Sequence, residues 1–379
     1  MKKFSFNVND VLPQLQQVAA VVDQKNTMAI LMDVVLKTYM DGDAPVLLCT
    51  TSDSDNFISM KCNLVEGEGG IELAVNAKDF VSTLRNMSGR VIILEIDEER
   101  HILKGNYDNG YFEMPFDDAG EFPQPVLGVG DKVERLIDAQ LLYDMMSFTE
   151  CAIGHDNLRP VINGIHIDFF TESMTAVAFD GFKMAKCTDA TIKSEQEYGI
   201  NIPHKACRMI MSMLQKMDGD VKVTTNGYCI VVSRSEFRIV ARLYEGKYPP
   251  YNQLIMPEYP MSVTVAKEDL ARVLKVVSPS TNAASEQIRF TFTDGELTLS
   301  ADNLEMARTA SEKIPCDYKG DKFEMAFKCS WAQSIVSNIA CDNVVLKIID
   351  HTKPALFLPE AQEDTREYVF LLMPMLILI

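Results

Sequence analysis

No apolar run in this chain is long enough to cross a bilayer as a helix. The C-terminal run from Tyr368 to Ile379 covers twelve residues, where a spanning helix needs about twenty. The first residues, MKKFSFNVNDVLPQL, carry two lysines and no long apolar segment, so no secretory signal is expected and a cytoplasmic location is. None of the nine cysteines forms a C-x-x-C pair, and the five histidines form no H-x-x-x-H. Small buried thiols in a reducing compartment are therefore expected in place of disulfides or a zinc site. The chain also lacks G-x-x-x-x-G-K-[ST], G-x-S-x-G and H-x-E…C-x-x-C. With no nucleophile, base and orienting group in sight, no catalytic residue, metal or cofactor is predicted. Gly67-Glu68-Gly69-Gly70 precedes an alternating strand and is expected to be a turn, and Asp97-Glu98-Glu99 a hairpin tip. Positive charge is scarce as well: 36 Lys and Arg face 54 Asp and Glu, for a net −18. That sum argues against general adhesion to nucleic acid, unless the charges are segregated.

What the sequence does have is repetition. Its 379 residues, 47% hydrophobic and 24% charged, describe a globular chain too long for one ordinary core. AFDGFKMA at 178–185 resembles SADNLEMA at 300–307, with Asp180 and Asp302 placed as equivalent turn residues; TSDSDNF at 51–57 is a weaker counterpart. Six helical windows are predicted, at 9–22, 77–87, 138–152, 204–217, 266–277 and 329–340, two in each third of the chain. A helix-to-strand turn recurs before Val91, Val221 and Val344, which lie 130 and 123 residues apart. Between the helices the apolar period is two, as in Ile288, Phe290 and Phe292 before Asp294-Gly295, and Thr225-Asn226-Gly227 marks a similar hairpin. The fold class expected is α+β, with three repeats of two helices plus antiparallel strands, at 1–127, 128–254 and 255–379.

Four motifs then occur in order: LRPVING at 158–164, FDGFKMA at 179–185, EGKYPPY at 245–251, and Tyr368-Val369 with LMPM at 372–375. Together with the threefold repeat they resemble the beta subunit of bacterial DNA polymerase III, the sliding clamp, along the whole chain. The resemblance implies three clamp-type domains per chain and a head-to-tail homodimer closing a six-domain ring around double-stranded DNA. Such a protein is a processivity factor with no activity of its own. Replicative polymerase, clamp loader and repair proteins would dock on it through short linear peptides. A scaffold for partner proteins that never encircles DNA is the alternative.

Carried over position by position, the peptide groove comprises Ile162, Phe179, Gly181, Phe182, Lys183, Met184, Pro249, Gln253, Leu254, Pro354, Leu371, Leu372, Met373, Pro374 and Met375. The family's T-D-G-H-R stands here as Phe179-Asp180-Gly181-Phe182-Lys183, Gln253 replaces a common Arg, and Leu376 replaces the Arg after M-P-M. A more apolar, less cationic groove is expected. Residues 376–379 are expected to pack beside the groove or extend it.

The resemblance also implies that helices line the hole. The helical windows hold eight basic residues (Lys78, Arg85, Lys205, Arg208, Lys216, Lys267, Arg272, Lys275) against seven acidic, and the rest of the chain holds 28 against 47. These eight, with Lys25 after the first helix, are the candidate DNA-facing cations; ordinary solvated helix faces are the plainer alternative. Phe112, Met114, Val276 and Val277 match apolar positions of the family's dimer contact, with core packing the alternative for the two valines.

Overall fold

The computed structural model describes residues 2–23 and 25–377. Among these residues six α-helices form at the predicted windows, the first opening one residue before its window: α1 (Val8–Ala19), α2 (Ala77–Arg85), α3 (Ala139–Glu150), α4 (His204–Leu214), α5 (Lys267–Val277) and α6 (Cys329–Asn338). Their local causes are visible in sequence. The Asn76 side chain accepts from the Asp79 N–H and caps α2, whose first turn holds Asp79 and last turn Arg85, matching the helix dipole. Ala77, Phe80, Val81 and Leu84 form its buried stripe. In α5 the same spacing buries Leu270, Val273, Leu274 and Val277. Each large side chain so buried contributes about 1.5–3 kcal/mol.

Each third of the chain supplies two four-stranded sets. The first set of the three thirds runs Lys2–Asn7, Val91–Asp97, Ile102–Tyr107, Gly110–Pro115; then Val133–Asp138, Asp220–Thr225, Cys229–Ser233, Phe237–Arg242; then Met261–Ala266, Asn343–Ile348, Ala355–Pro359, Arg366–Leu372. The second sets are built around the strands Asn56–Asn63, Lys183–Asp189 and Arg308–Asp317.

The chain divides into two units, one of residues up to Gln140 with Arg208–Leu243, the other of Leu141–Cys207 with Tyr244 onward. In the first unit, a five-stranded sheet ends on the edge strand Gly110–Pro115. An eight-stranded sheet is made where Phe237–Arg242 pairs antiparallel with Asn56–Asn63, Ile239 opposite Ile58. In the second unit, Arg366–Leu372 pairs antiparallel with Lys183–Asp189, Phe370 opposite Ala185, within a twelve-stranded sheet. The last strand of a first set thus joins the third strand of the preceding repeat's second set, twice, by one rule.

The predicted hairpins form at Asn226-Gly227 and Asp294-Gly295, where Gly227 and Gly295 take φ of +81° and +72°. The proposed equivalence of Asp180 and Asp302 is off by one residue. Asp180 Oδ1 accepts from the N–H groups two and three residues on, as Asp53 Oδ1 does in the first third. In the last third that task falls to Asn303, which accepts from the Met306 N–H, while Asp302 stays in the ladder opposite Thr309. The ladder there closes on Asn303 opposite Arg308, so the capping residue is the last of its strand, where Asp180 and Asp53 are the first of their turns. All nine cysteines are free. Burial pushes the thiols of Cys187 and Cys207 up to about 12. No helix among the described residues is long and apolar enough to span a membrane.

Candidate peptide groove, edge strands and helix cations

The candidate groove lies wholly within the second unit. Pairing of Lys183–Asp189 with Arg366–Leu372 sets Met184 opposite Leu371 and Lys183 opposite Leu372. Ile162, Met184 and Leu371 are buried together with Tyr248, Tyr251 and Leu356, and half-buried Phe179, Leu254 and Met373 pack against them. Those six predicted residues therefore converge from four distant segments. Pro249 is half-buried on the connector that carries Tyr248, and Gln253 is exposed; Pro354 and Leu372 are buried. A mostly aliphatic, aromatic and methionine surface of this kind suits hydrophobic anchors of a short peptide.

The turn before Met184 is held by Asp180, whose carboxylate takes the N–H groups of Phe182 and Lys183 at 2.8 Å each. Gly181 at φ +97° supplies the left-handed step that a Cβ would oppose. Lys183 is buried, its ammonium 3.1 Å from Asp180 Oδ2 and bonded to the Cys151 carbonyl. Its charge therefore serves the turn, and the groove surface is less cationic than the bare sequence suggests.

The tail is pinned at two points. The Met373 N–H donates to the Phe182 carbonyl at 2.8 Å and the Met375 N–H to the Ala326 carbonyl at 2.7 Å. Met373, Pro374 and Met375 are each half-buried. Leu376 departs from the expected packing: its side chain is 81% exposed, although its carbonyl accepts from Gln287. Leu378 and Ile379 lie outside the described residues. Phe182, 56% exposed, stacks on Trp331 of α6 with ring centroids 5.1 Å apart, and the Lys328 ammonium sits 5.0 Å from the Trp331 ring. Trp331 was not among the predicted residues. It is the chain's one tryptophan, the signal that sequence reasoning passed over.

A cavity of about 490 Å³ opens elsewhere in this unit, against Asp144, Phe148, Asn338, Arg366 and Tyr368. It includes none of the predicted groove residues.

Among the helix cations, Lys78 and Arg85 on α2, Lys205 and Arg208 on α4, and Arg272 and Lys275 on α5 are exposed, and Lys267 is half-buried. Lys216 follows the end of α4 at φ +61°, and Lys25 lies on the exposed turn after α1. Arg272 is already engaged with Asp269 at 3.0 Å and with Glu312, which lowers its free charge.

Phe112 and Met114 alternate onto one face of the edge strand Gly110–Pro115, both half-buried. The Phe112 ring lies over Gly105 on the neighbouring strand, where a Cβ would come within 2.2 Å of it. Val276 is 52% exposed at the end of α5, whereas Val277 is fully buried in its own repeat. The fold gives Val277 the core position that the sequence left open.

Three family models match the chain in order: the N-terminal domain of the DNA polymerase III beta subunit over residues 2–126, the central domain over 136–250 and the C-terminal domain over 253–375. A beta sliding clamp of Pseudomonas putida is 25% identical over 374 residues, covering 98% of this chain and 99% of that protein. A crystal structure of the DNA polymerase sliding clamp from Pseudomonas aeruginosa with ligand superposes with a TM-score of 0.92 at 23% identity, covering 100% of both chains. Another, of the Pseudomonas aeruginosa clamp bound to griselimycin, has a TM-score of 0.92 at 23% identity, covering 99% of this chain and 100% of that one. The chain belongs to the DNA polymerase III beta subunit family, the beta sliding clamps.

Proposed function

We propose that this chain is a DNA sliding clamp, a non-catalytic processivity subunit of a DNA polymerase III holoenzyme, acting in the cytoplasm as a head-to-tail homodimer around duplex DNA. One observation carries the ring. Two of the three junctions that the repeat calls for are made within the chain, Phe237–Arg242 on Asn56–Asn63 and Arg366–Leu372 on Lys183–Asp189. The third would join Gly110–Pro115 to Arg308–Asp317. Each of these strands has a backbone edge without a ladder partner among the described residues: Gly110–Pro115 pairs only with Ile102–Tyr107, and Arg308–Asp317 pairs with Met261–Ala266 only at its last two residues. Open edges invite pairing with another chain, and the two unlike edges make a heterologous contact. Such contacts close into a ring when the rotation per unit divides a full turn, about 60° for six repeats. Phe112 and Met114 on one strand, and Val276 beside the other repeat's edge, would supply its apolar part.

The domains would run 1–127, 128–254 and 255–379. With the acidic excess outside the helices, an acidic exterior would discourage stray adhesion, while Lys25 and the helix cations meet phosphates within a Debye length, about 8 Å at physiological salt. Contacts to phosphate alone carry no sequence information, so binding would be topological and sliding free. Polymerase, clamp loader and repair proteins would insert peptides into the groove at Ile162, Met184, Leu254, Leu371 and Met373. The test is retention on nicked circular DNA against the same DNA linearised after loading. Retention on the circle and loss from the linear form is expected; equal loss from both would overturn the ring in favour of a scaffold that does not encircle DNA.

A further inference from the structure

Behind the groove, in the same unit, lies a buried polar network that none of the roles above uses. His166, on the strand Gly164–Phe169, is 7% exposed and its ring stacks on Tyr248 at 4.5 Å and 6°. Its Nδ1 is 2.7 Å from Asn201 Oδ1 and its Nε2 is 3.0 Å from Asp168 Oδ1. The orientation of the Asn201 amide is fixed by its other end, because Nδ2 donates to the carbonyls of Gly246 at 2.9 Å and Tyr244 at 3.3 Å. Oδ1 therefore faces the ring as an acceptor, and Asp168 is a second acceptor. An imidazole satisfies two acceptors only when both nitrogens carry protons; the neutral ring must give up one bond.

Everything that this ring holds leads to one wall of the groove. Asn201 fixes Tyr244 and Gly246 through its side chain, and its carbonyl accepts from the Tyr244 N–H at 2.9 Å. The Tyr251 hydroxyl donates to Asp168 Oδ2 at 2.7 Å. The segment from Tyr244 to Leu254 is thus fastened at both ends to the His166 network, and its Tyr248, Tyr251 and Leu254 pack with Ile162, Met184 and Leu371. Gly199 on the adjacent strand lets the network form, since a Cβ there would lie 2.7 Å from Asp168 Oδ1 and from the His166 ring.

We infer that His166 is a positioning residue for the peptide groove, holding the connector wall through its two ring nitrogens, one on Asn201 and one on Asp168. This rests on the groove proposed above. The titratable groups facing the ring are Asp168 on its own strand and Tyr248 and Tyr251 on the connector; the strand Tyr198–Pro203 contributes only the neutral Asn201 and Gly199. Burial raises the Asp168 carboxyl, but the bond to His166, its charge and the Tyr251 hydroxyl outweigh this and leave it below the usual range. Asp168 therefore stays ionised and acts as an acceptor. Both tyrosines are raised by burial and stay neutral.

The test measures griselimycin affinity by calorimetry on the unmodified protein, on D168N and on H166F, which keeps the stacked ring. Losing one hydrogen bond of the wall predicts affinity about three- to tenfold weaker in each variant. Hydrogen exchange should quicken at residues 244–254 in both variants and stay unchanged in the strands of the first unit. Unchanged affinity and unchanged exchange in a folded variant overturn the inference and leave the groove standing. No binding by the unmodified protein overturns the groove itself. Either variant alone decides the outcome, so one misfolded substitution cannot obscure it.

Discussion

The Met373 backbone N–H donates to the carbonyl of Phe182 at 2.8 Å, a bond between residues 191 positions apart in the sequence. It ties the C-terminal segment to the turn of the middle repeat, and so brings the methionines of the tail beside the exposed Phe182 ring.

Replacing Met373 and Met375 together with Ala should weaken peptide binding at the groove by about tenfold or more, since two half-buried anchors lose contact area. The dimer should be untouched. Fluorescence polarisation with a labelled polymerase-derived peptide, alongside sedimentation velocity, reads both; unchanged affinity would remove the tail from the groove.

Phe182→Ala removes the stack on Trp331 while disturbing little of the core, because the ring is 56% exposed. Affinity should fall several-fold, about 0.5–1.5 kcal/mol for the aromatic contact, with Tm nearly constant. A large drop in Tm would instead mark the pair as structural.

Val276→Asp and Val277→Asp should separate interface from core. Val276 is exposed and Val277 fully buried, so the first should give folded monomers on sedimentation. The second should lose about 3 kcal/mol or more, the scale of an unpaired buried charge, in chemical denaturation. A stable dimer from Val276→Asp would count against the proposed closure.

Stability should also respond to Asp33 in the first unit. Burial first, then the charge of Asp117 and the hydrogen bond that the protonated carboxyl donates to it, raise the Asp33 carboxyl from 3.8 to about 7. The folded state then binds more protons than the unfolded one between these values, so stability is highest below about pH 4 for this group and is lost as pH rises through about 7. Asp33→Asn should flatten that slope and stabilise the protein at pH 8 by on the order of 1–3 kcal/mol. Urea titrations at several pH values measure it; an unchanged slope would remove Asp33 as its source.

Much of the local structure was legible because it depends on neighbours in sequence. The stripe Ala77, Phe80, Val81, Leu84 has helical spacing, Asn76 sits where a cap is needed, and Asn226-Gly227 and Asp294-Gly295 provide the left-handed steps of hairpins. The threefold repeat was equally plain, since each copy carries the same order of helices and strands.

What tertiary structure decided are the pairings whose partners lie far apart. Ile58 opposite Ile239 and Ala185 opposite Phe370 depend on sheet edges meeting across repeats, and alternation within a strand cannot name the strand beside it. Burial sorted Val277 from Val276 and turned the Lys183 ammonium onto Asp180. Only folding set Trp331 under Phe182 and placed two acceptors on His166. The sequence determined the repeating unit, because periodicity and turn chemistry act over a few residues. The joined sheets, the groove and the network behind it were decided by packing, because their energies exist only once distant segments exclude water together.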